Sequence, residues 1–152
     1  MNLLSFDNVL QDPTYYVSEI YSYGFQDVAD GQHIFRNIQP RGSHDDFAKY
    51  VSKLFPDYKV EFNFVRRSPL NQEEPNFIHS DEMMGDITVI LYLNEESPKE
   101  DGTTIYDDQG NPLCKFYSKF NRMVAFESEV PHSRNIYENF GEERSGQFRK
   151  NN

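Results

Sequence analysis

Two histidines and one carboxylate stand out by type and spacing. His79 and Asp81 flank Ser80 at the end of a short apolar run, Phe77-Ile78, and His132 lies in Val130-Pro131-His132-Ser133 beside a second strand-like segment. Two imidazoles and a carboxylate can cap three sites of a metal ion and leave the opposite sites open, an arrangement suited to Fe(II) and the activation of oxygen. On a strand, residues i and i+2 project to the same side, so His79 and Asp81 can converge on one ion. The triplet His44-Asp45-Asp46 has the same spacing. It opens a helical pattern, however, where i and i+2 do not face each other, and there His44 and Asp46 read as capping and dipole partners. His33 follows Gly31 in a polar loop with no strand context, which leaves His132 as the better third ligand.

Arg144 follows His132 and begins Arg144-Ser145-Gly146-Gln147-Phe148, where alternation puts Arg144, Gly146 and Phe148 on one face. A guanidinium pointing into a β-structure needs an anion, because an unpaired buried charge is costly. Its planar fork can grip a carboxylate through two parallel hydrogen bonds. A surface ion pair to Glu142 or Glu143 is the plainer alternative.

The elements that must position these groups are mostly strands. Asp12-Pro13 followed by Tyr15, Tyr16, Ile20 and Tyr23 has helical spacing, with Gly24 as its stop. Ile34 to Ile38 is a strand ended by Pro40, and Ser43 precedes an amphipathic helix through Asp46, Phe47, Tyr50, Val51 and Leu54. From Tyr58 the period becomes two, with Val60, Phe62 and Phe64 as the apolar face and Glu61, Asn63 and Val65 alternating with them. A polar loop, Ser68 to Pro75, leads to the strand ending at His79, then to a turn at Met84-Gly85-Asp86 and the apolar strand Ile87 to Leu93. Further short strands are expected at Thr103 to Tyr106, Phe116-Tyr117, Met123 to Phe126, Ser133 to Ile136 and Gln147-Phe148. Two small helices before seven or eight strands predict a mainly β, α+β domain, a sandwich or small barrel.

Composition narrows the function classes. The 152 residues suit one domain with its own core. With 15 basic and 25 acidic residues the formal net charge is −10, which disfavours a phosphate-backbone partner and thus nucleic acid. The one cysteine, Cys114, permits no intrachain disulfide and fits a reducing, cytoplasmic home. The apolar run Ile87 to Leu93 is too short to span a bilayer, and the N-terminus lacks the pattern of a signal peptide. Arg66, Arg67 and Arg134 could meet an anionic substrate, with a solvated basic face as the plainer reading, and Met83-Met84 reads as an adaptable apolar edge or as core.

In order, Asn76-Phe77-Ile78-His79-Ser80-Asp81, Ile87 to Asn94, Asp101-Gly102-Thr103-Thr104, Asn121 to Phe126, Val130-Pro131-His132-Ser133 and Arg144 resemble the core of 2-oxoglutarate/Fe(II)-dependent oxygenases, in the small prolyl-4-hydroxylase-like branch. The resemblance covers about residues 58 to 149. It implies a double-stranded β-helix, or jelly roll, supported by two N-terminal helices. It also implies that His79, Asp81 and His132 ligate Fe(II), and that Arg144 binds the distal carboxylate of 2-oxoglutarate. Oxidative decarboxylation by O2 to succinate and CO2 would then drive hydroxylation of a peptidyl residue or small molecule. Retention of Asp81 implies hydroxylation rather than halogenation. The chain departs from the family pattern at three places. Gly146 stands where many relatives place a serine, and Asn63, Phe64 and Arg66 stand on a strand where several have a tyrosine. Asp101-Gly102 replaces Gly-Gly. Ser133, Tyr92 or Thr88 are the candidates to take over the serine's part in holding the cosubstrate, and the sequence does not choose among them.

Two other readings use the same residues. A cupin-like metal enzyme, an isomerase or a dioxygenase, would need the three ligands but leaves an inward arginine unexplained. A non-catalytic β-sandwich for binding or assembly predicts that His79, Asp81 and His132 do not meet.

Overall fold

The computed structural model describes residues 2–31, 33–68, 78–96, 99–135 and 144–151, with backbone alone at 30, 33, 68 and 144–151. Strand β1 (Leu4–Phe6) precedes helix α1 (Pro13–Tyr23), strands β2 (Gln26–Asp30) and β3 (His33–Pro40), and helix α2 (Asp46–Leu54). Then follow β4 (Phe62–Ser68), a 3-10 turn (Glu82–Met84), β5 (Ile87–Tyr92), β6 (Gly102–Tyr106), β7 (Pro112–Tyr117), β8 (Arg122–Glu127), β9 (His132–Arg134) and β10 (Arg144–Asn151).

The strands form a seven-stranded sheet in the order β1-β8-β5-β10-β4-β3-β2 and a three-stranded sheet in the order β7-β6-β9. A bridge between His79 and His132 adds one more rung at the free side of β9. From β4 onward the chain passes repeatedly between the two sheets, and every pairing is antiparallel. That winding is a double-stranded β-helix, with β4, β10, β5 and β8 on one wall and the His79 rung, β9, β6 and β7 on the other.

Strand β5 shows why the run Ile87 to Leu93 does not alternate in hydrophobicity. Val89 and Leu91 pack with Phe47, Val51, Tyr16 and Ile20 of the helices, while Ile90 and Tyr92 pack between the sheets with Ile105, Val124 and Phe126. Both faces are buried, so both must be apolar. The two helices therefore back the larger sheet on the side away from the barrel interior.

Local chemistry sets the helix ends. Asp12 accepts from Tyr15 N at 3.1 Å at the start of α1, and Gly24 ends the helix at φ 75°, a left-handed conformation natural to glycine. Asp45, rather than His44 or Asp46, caps α2 through Ala48 N; His44 is exposed, and Asp46 adds its charge to the first turn. The Asp45 carboxylate also accepts from Tyr16 Oη at 2.7 Å and Arg41 Nε at 3.0 Å, and Arg41 reaches Glu19 at 2.9 Å. Burial, followed by the charge of Asp45, pushes the Tyr16 hydroxyl far above its usual pKa range, so it remains a donor that ties α1 to α2.

Three expectations change. Strand β4 turns the other way: Phe62 is 45% exposed, whereas Val65 is 1% and Asn63 8% exposed. Val65 joins the helix-side core, and Asn63 Nδ2 bonds Gly42 O at 3.2 Å, so the polar-looking register is the one the helices cover. His33 opens strand β3 instead of lying in a loop. Strands β1 and β2 extend the larger sheet at its two edges beyond the predicted set.

Candidate metal centre

His79, Asp81 and His132 meet. Their ligand atoms all lie within 4.8 Å of one another, against the expectation for a non-catalytic sandwich. The backbone brings them together in two steps. His79 and His132 exchange both main-chain hydrogen bonds, at 3.0 and 2.9 Å, so their side chains stand on one face with ring centroids 4.4 Å apart. Asp81 N then donates to Ser128 O at 2.8 Å, which holds the turn carrying the carboxylate over the same face. Ser128 N donates to Asp86 O at 2.9 Å, and the buried Ser128 hydroxyl pairs with Thr88 Oγ1 at 2.8 Å. The loop 81–86 is thus clipped at both ends to a single residue, itself fixed to β5.

The imidazole of His132 is 1% exposed and touches Phe126 edge-on, with centroids 4.8 Å apart. His132 Nδ1 lies 2.9 Å from Val130 O, a group that only accepts, so Nδ1 carries the hydrogen. In the neutral ring Nε2 then presents a lone pair, and it faces Asp81 Oδ2 at 3.0 Å. Two acceptor atoms so close, on side chains 1% and 6% exposed, require a cation or a proton between them. Neighbouring donors around an ion at about 2.1 Å stand roughly 3 Å apart, which fits this pair. Asp81 Oδ1 stands 3.6 Å from His79 Nε2, whose side chain is 28% exposed and closes the third position from the solvent side. The donor set is two imidazoles and one carboxylate, with an outer partner fixing the orientation of one ring. It fits a divalent transition metal such as Fe(II).

The other residues singled out from sequence divide by face. Strand β6 pairs with β9 so that Ile105 lies across from His132, Thr104 from Ser133 and Thr103 from Arg134. Ile105 belongs to the core between the sheets, and Thr103 Oγ1 bonds Tyr92 Oη at 2.6 Å across it. Tyr92 therefore lies in the interior that His132 faces. Ser133 takes the opposite face, where its hydroxyl meets Tyr106 Oη at 2.9 Å and Arg134 O at 3.2 Å. Alternation on a strand thus turns Ser133 away from a ligand bound at His132. Thr88 faces inward but is committed to Ser128.

The backbone at Arg144 pairs with Ser68, and a bulge separates it from Gln147, which lies across from both Arg66 and Tyr92. The irregularity interrupts the simple alternation expected from Arg144 to Phe148. The Arg144 side chain lies outside the described residues, as do Glu142, Glu143, most of the loop Ser68 to Pro75, and Asn76-Phe77. Arg66, Arg67 and Arg134 are half-buried rather than a solvated face, with Arg67 stacked over Tyr21 at 5.6 Å. Met83 is 94% exposed beside the Asp81 turn, and Cys114 is half-buried on β7 against the inter-sheet core. A cleft of about 490 Å³ against Leu4, Phe55, Tyr58, Glu82 and Glu129 is separate, since none of the three converging side chains lines it.

No protein-family model matches the chain, and no curated protein matches its sequence. Solved structures do match. A prolyl hydroxylase from Trichoplax adhaerens, in complex with a hypoxia inducible factor oxygen degradation domain peptide fragment, aligns with TM-score 0.68 at 17% identity over 97% of this chain and 82% of that one. A prolyl-4-hydroxylase from Pseudomonas putida aligns with TM-score 0.61 at 18% identity, covering 97% and 83%. The epimerase SnoN in complex with Fe3+, alpha ketoglutarate and nogalamycin RO aligns with TM-score 0.63 at 11% identity, covering 97% and 77%. The double-stranded β-helix derived above from strand order is the fold that this chain shares with these proteins.

Proposed function

We propose that this protein is an Fe(II)- and 2-oxoglutarate-dependent oxygenase that hydroxylates an unactivated C–H of a peptidyl residue or small molecule. The convergence of His79, Asp81 and His132 on one inward face carries the reading. The shared fold with oxygenases supports it. In this reading the three side chains hold the metal. Tyr92 and Arg144 hold the cosubstrate, and Ser133 drops out because it faces away. When bound, the metal and 2-oxoglutarate supply the oxidising chemistry: 2-oxoglutarate, O2 and R–H become succinate, CO2 and R–OH.

The chain's own contribution is placement. Ser128 fixes the turn that carries Asp81, and Val130 O fixes the His132 tautomer. Phe126 and Ile90 keep the inner wall apolar, which excludes water from the reacting centre. The exposed Met83 and Ile78, 94% and 45% accessible, flank the ligands and offer an apolar rim to a substrate. No described helix is long and apolar enough to cross a membrane. We assign residues 1–152 to one catalytic domain, acting in the cytoplasm.

The test is decarboxylation. Purified protein with Fe(II), ascorbate and 2-oxoglutarate labelled at C1 should release labelled CO2 and equimolar succinate in air, even without its substrate, and should release neither without oxygen. Absence of turnover at every metal and cosubstrate concentration, in folded protein, would point instead to a metal site of other use.

A further inference from the structure

We propose that the cleft beside the Asp81 turn docks a basic side chain of a polypeptide, and that the substrate is a polypeptide with a lysine or arginine a few positions from the residue it presents to the metal. The second half rests on the oxygenase reading above. The cleft exists because β1 covers β8 only from Met123 to Ala125. Strand β8 continues through Phe126 to Glu127, which pairs with Ile87 of β5 beyond the reach of β1. Phe55 and Tyr58, from the chain after α2, line the space left there, together with Glu82 and Asp86 from the turn after Asp81. Its volume is about 490 Å³, within the range of about 300–1,000 Å³ that holds an organic ligand.

The lining carries one sign of charge. Glu82, Asp86, Glu127 and Glu129 supply carboxylates, and among the described residues no lysine, arginine or histidine lines the cleft. Among the described residues these four acids also have no ion pair or side-chain hydrogen bond. Like charges around one concavity repel each other and attract a cation. The remaining walls are apolar. Phe55 and Tyr58 stand edge to face with centroids 6.2 Å apart, and Tyr58 is 42% exposed. An aromatic face attracts an ammonium or guanidinium, while Leu4 and Ile87 offer apolar surface to a methylene stem. Lysine and arginine join such a stem to such a head, whereas a bare metal cation gains nothing from apolar walls.

A polypeptide is favoured over a free amine because the cleft shares its wall with the metal centre. Glu82 follows Asp81 directly. Phe126 lines the cleft and also touches the His132 ring, with centroids 4.8 Å apart. Met83, 94% exposed, lies on the turn between them. An extended chain laid over that turn reaches both places at once, one residue in the cleft and a neighbour at the metal. A small amine fills only the first.

The experiment is amide NMR and calorimetric titration of the metal-free chain with three probes. They are a capped five-residue peptide in which two lysines flank a leucine, its counterpart with norleucine for lysine, and 1,4-diaminobutane, which matches the charge of the first. The lysine peptide should shift the amides of Gly85, Ala125 and Glu127 and bind at least about fivefold more tightly than either other probe. Glu82→Gln combined with Glu129→Gln should weaken it about fivefold, the scale of two exposed ion pairs, and Tyr58→Ala about two- to fivefold. Glu96→Gln combined with Asp108→Asn removes the same charge from exposed loops outside the cleft, and should cost less than about twofold. An equal loss in that control pair overturns the site, since the net charge alone would then attract the peptide. Equal binding of the norleucine peptide overturns it too, as does absence of shifts at the cleft. Equal or tighter binding of the diamine overturns the polypeptide as occupant. Release of labelled CO2 without substrate tests the oxygenase reading by itself, so the two can fail separately.

Discussion

Asp81→Asn should abolish high-affinity Fe(II) binding without destabilising the metal-free protein. The carboxylate stands 3.0 Å from the lone pair of His132 Nε2, on side chains 1% and 6% exposed. Without a cation that contact is repulsive or needs a proton. An asparagine amide has the same shape and can donate N–H to Nε2, so it relieves the metal-free state while removing the charged ligand. Metal affinity should fall by more than the roughly 10- to 100-fold that loss of an outer partner costs, and cosubstrate turnover should fall with it. Calorimetric Fe(II) or Co(II) titration, paired with thermal unfolding in chelator, gives both quantities. A variant that binds metal like wild type, or that loses more than about 2 kcal/mol in the metal-free form, contradicts this account of the pair.

Gly102→Ala should unfold the smaller sheet. Gly102 has φ 145°, and a Cβ built there would lie 1.9 Å from Phe116 O and 2.9 Å from Phe116 C. The obstacle is backbone of the neighbouring strand, paired without a break with Gly102 to Ile105 of β6, so it cannot rotate away. Strands must separate, at a cost of about 3–5 kcal/mol, the upper range for single substitutions. Because β6 also pairs with β9 at Ile105 and His132, the same change should weaken metal binding. Urea unfolding of wild type and variant measures the first effect. A shift below about 1 kcal/mol would mean that the two strands do not approach so closely.

The two predictions draw on different parts of what the sequence made legible. The triad was readable because strand geometry gives i and i+2 a common face and because a decoy, His44-Asp45-Asp46, announced itself as a helix start. The close approach at Gly102 was not, since a glycine between Asp101 and Thr103 gives no hint of the carbonyl that crosses it. Strand β4 misled for a related reason. Its phenylalanines are its most hydrophobic residues, yet the helices that cover the sheet take Asn63 and Val65, with Asn63 bonded to the chain at Gly42. Periodicity names two faces and cannot say which one a distant helix will cover.

The residues proposed to hold the cosubstrate divide in the same way. Tyr92 was one of three candidates that the sequence did not separate, and it faces inward to Thr103. Ser133 could not be judged until its strand was paired, because adjacency to His132 in sequence is opposition in a sheet. Arg134, read from sequence as a solvated cation or a contact for an anion, is half-buried across from Thr103 once that register is known. Edge strands β1 and β2 went unseen because three- and five-residue strands at a sheet border carry little period to detect.

The central claim is that His79, Asp81 and His132 hold one ferrous ion on which 2-oxoglutarate chelates. Its most direct test is the visible absorption of the protein when Fe(II) and 2-oxoglutarate are added together under strict anaerobiosis. Wild type should develop the charge-transfer band of the chelate at one equivalent of iron, and His79→Ala should develop none. A band that persists at full strength in His79→Ala, or wild-type protein that stays colourless at saturating iron and cosubstrate, would contradict it.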